Sequence, residues 1–285
     1  MQKMMSIFKY FFLPLLAASL VQSGAADTSG TLTAWQGTDE AAVRLIAGPR
    51  DNAGLGRVWL GVQIKLGPGW KTYWRNPGES GAPPRFNWEG SENVATAEVR
   101  WPAPRRFSAF GYDSFGYHKQ VVIPVLLTPT INRQPITARL NLDYMICANI
   151  CIPMQAKLTL KLGETDPASV TASLVQGYLE LVPKETEPSG LHIISAIVSG
   201  DAGLQILHVH GRAELAFKAP DLMVEGPNPF AFGRPKVVFS SNGHDVVMEL
   251  PVYAGTSKIK LTDQALTLTM VDGNRALEKR LILGR

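Results

Sequence analysis

The chain has 285 residues, of which 45% are hydrophobic and 18% charged, and its formal charge is +4. That length suggests about two domains, and the composition excludes a disordered chain. Lys3 and Lys9 carry part of the positive charge, and no cluster of Lys and Arg points to nucleic acid.

Residues 1–26 read as a secretory signal peptide. A basic start is followed by the apolar run from Tyr10 to Ala18 and then by Ser23-Gly24-Ala25-Ala26, with cleavage expected near Ala26. The rival reading, an uncleaved anchor, needs an apolar run of ~20 residues, and this one is shorter. No later apolar run reaches spanning length; the longest, from Val121 to Leu127, contains Pro124. After signal cleavage the protein is expected in the periplasm with no membrane span, where disulfides persist.

Residues 41–47 and 58–66 alternate like strands, and Gly67-Pro68-Gly69 ends the second. The 70–84 stretch is dense in aromatics, Gly and Pro, and reads as an irregular loop or a broken strand. Residues 94–101 alternate again until Pro102-Ala103-Pro104, and a loop is expected from there to about Lys119. Residues 120–127 and 137–143 are the next strands. The two cysteines follow, and 154–162 then alternates cleanly to close a first domain, 27–165. Short strands, Gly/Pro turns and almost no amphipathic helix indicate a mainly β protein built of sandwiches.

Asp166-Pro167 is a helix start, with Asp as cap and Pro at the first helical position. Apolar residues at near-helical spacing carry that helix to Val182, and the polar stretch from Pro183 to Gly190 reads as a linker. Beyond it, 193–198, 205–209, 214–217, 237–240, 246–250, 258–261 and 265–271 are candidate strands. Asp272-Gly273-Asn274 is a hairpin turn into 276–283. These form a second β domain, 191–285, without cysteine.

Cys147 and Cys151 are the only cysteines, four positions apart. In an extended strand their Cα atoms would lie about 13 Å apart, at roughly 3.3 Å per residue. A disulfide needs them within about 7 Å. If the sulfurs bond, the chain must curl between them. Asn149 tolerates such a turn, and Pro153 stops any helix there. The chain-entropy model gives a loop this short only roughly 2 kcal/mol, against about 4.7 for a hundred-residue loop. A chain of this size builds a core without that help. Three readings stand: a redox switch, a passive bond and a soft-metal site. The weak staple favours the first.

The segment Tyr144-x-x-Cys147-x-x-x-Cys151-x-Pro153 resembles the active-site segment of the N-terminal periplasmic domain of the DsbD/ScsB thiol:disulfide interchange proteins. Gly69-Trp70-Lys71-Thr72-Tyr73-Trp74-Arg75-Asn76-Pro77-Gly78 and Phe115-Gly116-Tyr117 carry the same resemblance, which spans roughly 55–162. Three residues separate the cysteines, as in the ScsB-like branch, whereas better-known DsbD domains have five. The resemblance implies two immunoglobulin-like β-sandwich domains joined by a short helix and linker. It implies a protein-disulfide reductase component without cofactor. A thioredoxin-like electron donor protein would load the Cys147/Cys151 pair, which would pass electrons to oxidised periplasmic substrate proteins. The family's second cysteine, which bonds the donor, matches Cys151. The resemblance also implies an aromatic cap or partner contact, placed at Phe115 with Tyr117 and Tyr144. The 285 residues hold neither the membrane module nor the thioredoxin domain of full-length members, so the donor is expected on another polypeptide.

The rival site is copper. The cysteines with Met145, Met154 and His118 offer soft ligands for Cu(I), although methionines also fill core gaps. His208 and His210 share a strand face, which reads as solvated. Trp70, Tyr73 and Trp74 either line a partner groove or pack under the loop. Glu79 and Arg75 are candidates to tune the thiols by charge. No nucleophile motif and no phosphate-binding Gly loop is present.

Overall fold

The computed structural model describes residues 30–51, 56–109, 111–163, 169–185, 189–255 and 259–284. The expected signal peptide and the Asp166-Pro167 helix start lie outside the described residues.

The described chain is almost entirely antiparallel β, as composition and alternation required, and it forms immunoglobulin-like sandwiches. In the first, one sheet runs Gln36–Gly37, Ala41–Arg50, Val58–Leu66, Gln120–Thr128, Thr96–Val99. The facing sheet runs Cys151–Leu162, Ile136–Cys147, Lys71–Gly78, Tyr112–His118, Arg105–Ala109, with Arg85–Asn87 beside Ile136–Cys147. Strand side chains alternate between faces, so Val43, Leu45, Val62 and Ile64 of one sheet meet Leu140, Leu142, Tyr144 and Ile146 of the other. Each such side chain contributes roughly 1.5–3 kcal/mol on burial.

The single described helix, Ser169–Glu180, packs on the outside of the first sheet. Val175 enters the space above Gly61, where a Cβ would stand 2.8 Å from it. Gly61 is thus a strand glycine kept free for a helix, not a turn.

The second sandwich pairs a sheet of Leu191–Ser199, Gln205–Ala213, Asp245–Tyr253 and Ala231–Phe232 with one of Pro220–Glu225, Ala265–Asp272 and Arg275–Ile282. Lys236–Phe239 also joins Asp245–Tyr253. Leu207, Val209, Met248, Leu250, Leu266 and Leu268 fill its core. Met223 and Val271 reach past that core into the first one, so the two sandwiches share apolar contacts.

Of the two readings of residues 70–84 the structure takes the broken strand: Lys71–Gly78 pairs with an irregular register between Tyr73 and Gly78, and Trp74 faces the core while Tyr73 packs on the outer face. Three expectations are corrected. The loop expected up to Lys119 is a hairpin, Arg105–Ala109 with Tyr112–His118. The strand expected at 214–217 forms instead at Pro220–Glu225, and 259–261 is not strand.

Candidate redox site

The cysteines close the longest hairpin among the described residues. Ile136–Cys147 and Cys151–Leu162 pair continuously, and Cys147 and Cys151 are the last partners before the turn. Ala148 N–H donates to Ile150 O across that turn at 3.0 Å. This is the curl the spacing demanded: the two Cα atoms are 4.2 Å apart and the sulfurs are bonded.

Sheet parity decides which way the pair faces. Leu142, Tyr144 and Ile146 point into the sandwich, so Cys147 points outward. Register continues that face sideways. Cys147 lies opposite Lys71, and Lys71 opposite His118; Tyr73 lies opposite Gly116. Phe107 shares this outer face opposite Ser114.

Cys147 is fully buried although it faces outward, in a cluster with Tyr73 and Phe107, while Cys151 is exposed. The Tyr73 hydroxyl donates to Cys147 Sγ at 2.8 Å and lies 3.8 Å from Cys151 Sγ. Burial raises the Tyr73 phenol above its ordinary value, which keeps it a proton donor. The ring is held from behind by Gly81, at φ +94°, where a Cβ would lie 2.2 Å from two of its atoms. Phe107 packs on Tyr73 with ring centroids 5.9 Å apart and meets His118 edge-on at 5.4 Å. Lys71 Nζ sits 4.9 Å from the Phe107 ring centre. Burial, and then the nearby Lys71 charge, lower the His118 pKa. The pair therefore has one sulfur-bearing residue open to a partner and one under aromatic rings beside a hydroxyl donor and a cation.

The structure places Phe115, Tyr117 and Tyr144 on the other face of this sheet, inside the main core. Their parity is opposite to that of Phe107 and Cys147, which is why none of them covers the pair. Arg106 stacks over Phe115 at 4.8 Å. The Tyr117 hydroxyl donates to Pro102 O at 2.8 Å. Tyr144 OH is buried without a hydrogen-bond partner, and that burial pushes its pKa up to about 12. Phe107 was missed because its segment read as loop. Arg105-Arg106-Phe107-Ser108 holds a single apolar residue and so shows no alternation to read.

Arg75 and Glu79 are not turned to the thiols. Arg75 donates to Glu225 at 2.6 Å and to Glu278, and Glu79 accepts from Asp113 N–H at 2.7 Å. The copper set is divided: Met145 packs beside Cys147, whereas Met154 faces the main core with Tyr144. His208 bonds Ser199 at 2.8 Å and His210 bonds Asp245 at 3.0 Å. Among the described residues no three His, Cys, Asp or Glu side chains gather as a metal site. Nor is any described helix long and apolar enough to cross a membrane.

Residues 42–163 match the family described as thiol:disulfide interchange protein DsbD, N-terminal, and residues 181–285 match a domain of unknown function, DUF8393. No curated protein matches the chain. Among solved structures, the N-terminal periplasmic domain of ScsB from Proteus mirabilis is 25% identical, with a TM-score of 0.72 over 90% of this chain and 100% of that one. A marsupial T cell receptor, 8% identical over 88% of this chain and 100% of that one, reaches a TM-score of 0.20, too low to carry an argument. The bonded pair, its place at a hairpin tip and these matches agree: residues 42–163 form a domain of the DsbD N-terminal thiol:disulfide interchange family, similar to the periplasmic domain of ScsB.

Proposed function

We propose that the protein is a periplasmic electron relay: a thioredoxin-like donor reduces Cys147–Cys151, and the dithiol then reduces oxidised periplasmic proteins. The observation that carries this reading is the asymmetry of the pair, with Cys151 exposed and Cys147 buried under Tyr73 and Phe107. The likeness to a periplasmic ScsB domain and the sequence of residues 1–26 support the address.

Exchange proceeds by thiolate attack on a disulfide sulfur. The donor thiolate attacks Cys151 Sγ, the bond between the cysteines breaks, and Cys147 Sγ leaves with the electron pair. The donor's second thiolate then attacks its own sulfur in the mixed disulfide, which frees Cys151. Two electrons have entered this chain and the donor has become a disulfide. The reverse steps, with Cys151 attacking an oxidised substrate and Cys147 resolving, pass the electrons on. Tyr73 acts where charge appears: its O–H already donates to Cys147 Sγ, and that bond becomes charge-assisted when the thiolate forms. Phe107 is the group whose displacement uncovers Cys147.

Trapping tests the roles. Cys147→Ala, which cannot resolve, is expected to accumulate a mixed disulfide with a thioredoxin-like protein through Cys151. Cys151→Ala is expected to trap none. The reverse pattern would exchange the two roles, and trapping by neither variant would remove the relay.

A further inference from the structure

The hairpin that carries Phe107 has two faces. On one, Phe107 packs against Tyr73 and Cys147. On the other, Arg106, Ser108 and Asp113 meet the second sandwich. Arg106 donates through Nε and its terminal nitrogen to both oxygens of Asp221, at 2.9 Å and 3.2 Å from Nε and 2.9 Å from the terminal nitrogen, and donates to Leu222 O at 3.0 Å. Arg234 donates to Asp113 at 2.9 Å and to Ser108 Oγ at 3.0 Å. Arg106 also reaches Asp113 at 3.1 Å within the hairpin. The Arg106 side chain is only 8% exposed and its partner Asp221 26%, so this pair is more buried than that of Arg234, which is 59% exposed. A forked guanidinium–carboxylate contact fixes orientation as well as distance.

We propose that the second sandwich sets how often Cys147 becomes accessible: Asp221 and Arg234 are positioning residues that hold the paired strands Arg105–Ala109 and Tyr112–His118 down and Phe107 in place. This gives the second domain a task at the site without touching a sulfur. The proposal rests on the reading of Cys147–Cys151 as an exchanging pair, because only then does access matter. Opening is a minor population, and weakening the closed form raises it in proportion.

The test measures alkylation of the lone Cys147 thiol by iodoacetamide in the full chain carrying Cys151→Ala. Arg234→Gln removes an exposed pair and is expected to speed alkylation about threefold. Asp221→Asn removes one of the two carboxylates that pair with the buried Arg106 charge, leaving Asp113, and is expected to speed it about tenfold. Asp221→Glu is expected to restore most of the slow rate. The midpoint of the pH profile stays fixed while its plateau rises, since the thiol's own surroundings are unchanged. Phe107→Ala alone gives the fast rate, and adding Asp221→Asn to it gives no further gain. Alkylation at the parent rate in both Arg234→Gln and Asp221→Asn overturns the proposal, as does full additivity with Phe107→Ala. A parent disulfide that dithiothreitol never reduces would sink the relay reading instead, and would leave the alkylation result standing.

Discussion

In the proposed exchange, Tyr73 is the residue beside the buried sulfur that meets its charge. Its hydroxyl is the group placed to meet charge on Cys147, at 2.8 Å. Hydrogen bonds to charged groups contribute roughly 1.5–3 kcal/mol. Tyr73→Phe is therefore expected to slow reduction of the disulfide by a small thiol about tenfold, at 1.36 kcal/mol per decade. It is also expected to raise the Cys147 thiol pKa, because the thiolate loses a hydrogen-bond donor. Stopped-flow kinetics and a thiol titration check both. An unchanged rate with an unchanged titration would make the hydroxyl a bystander. Gly81 holds the other side of that ring. Gly81→Ala puts a methyl group 2.2 Å from the ring atoms at a φ of +94°, so the ring must move. The expected outcome is a loss of more than about 1 kcal/mol in denaturant unfolding, together with the slower exchange of Tyr73→Phe.

The elements show how far a sequence speaks for itself. The cysteine hairpin was legible, because 154–162 alternates without interruption and the four-residue spacing forced a turn. Its facing was not read: Tyr144 was expected at the cap, whereas Leu142, Tyr144 and Ile146 mark the core side and Cys147 takes the other. The strand Lys71–Gly78 was legible only as one of two readings, loop or broken strand, because both its faces are covered. Tyr73 packs under the Phe107 hairpin while Trp74 fills the core, and neighbouring buried aromatics erase the polar half of the alternation. The Phe107 hairpin was hidden for the same reason, since Phe107 and Phe115 are buried on opposite faces. Phe115 therefore carried the family's motif, whereas only register shows that Phe107 holds the place above the pair. Truncating Phe107 removes apolar cover from a side chain 8% exposed, and Phe107→Ala is expected to destabilise by about 3 kcal/mol in chemical denaturation. A loss under about 0.5 kcal/mol would mean that the ring is not packed there.

At the scale of the molecule, the two sandwiches are held by apolar contacts and by ion pairs that no local sequence window displays. Arg75 meets Glu225 and Glu278, Arg106 meets Asp221, and Arg234 meets Asp113. The Arg234 hydrogen bonds, with further help from Arg106 and Ser108, hold the Asp113 pKa down to about 2, although burial opposes them. A carboxylate whose pKa is depressed by folding stabilises the native state above its unfolded value, near 3.8, and loses that contribution as pH falls towards about 2. The stability difference between the parent and Asp113→Asn is thus expected to be constant from pH 7 to about pH 5. It then closes as pH approaches 2, as thermal unfolding across that range would show. A difference that persists undiminished at pH 2 would mean that the charge of Asp113 contributes nothing. Whether Cys147–Cys151 opens and closes in use is tested most directly by its reduction potential against a glutathione or dithiothreitol buffer. A value above about −300 mV, within reach of thioredoxin-like donors, is expected; a value below that would mark a bond built to stay closed and would contradict the relay.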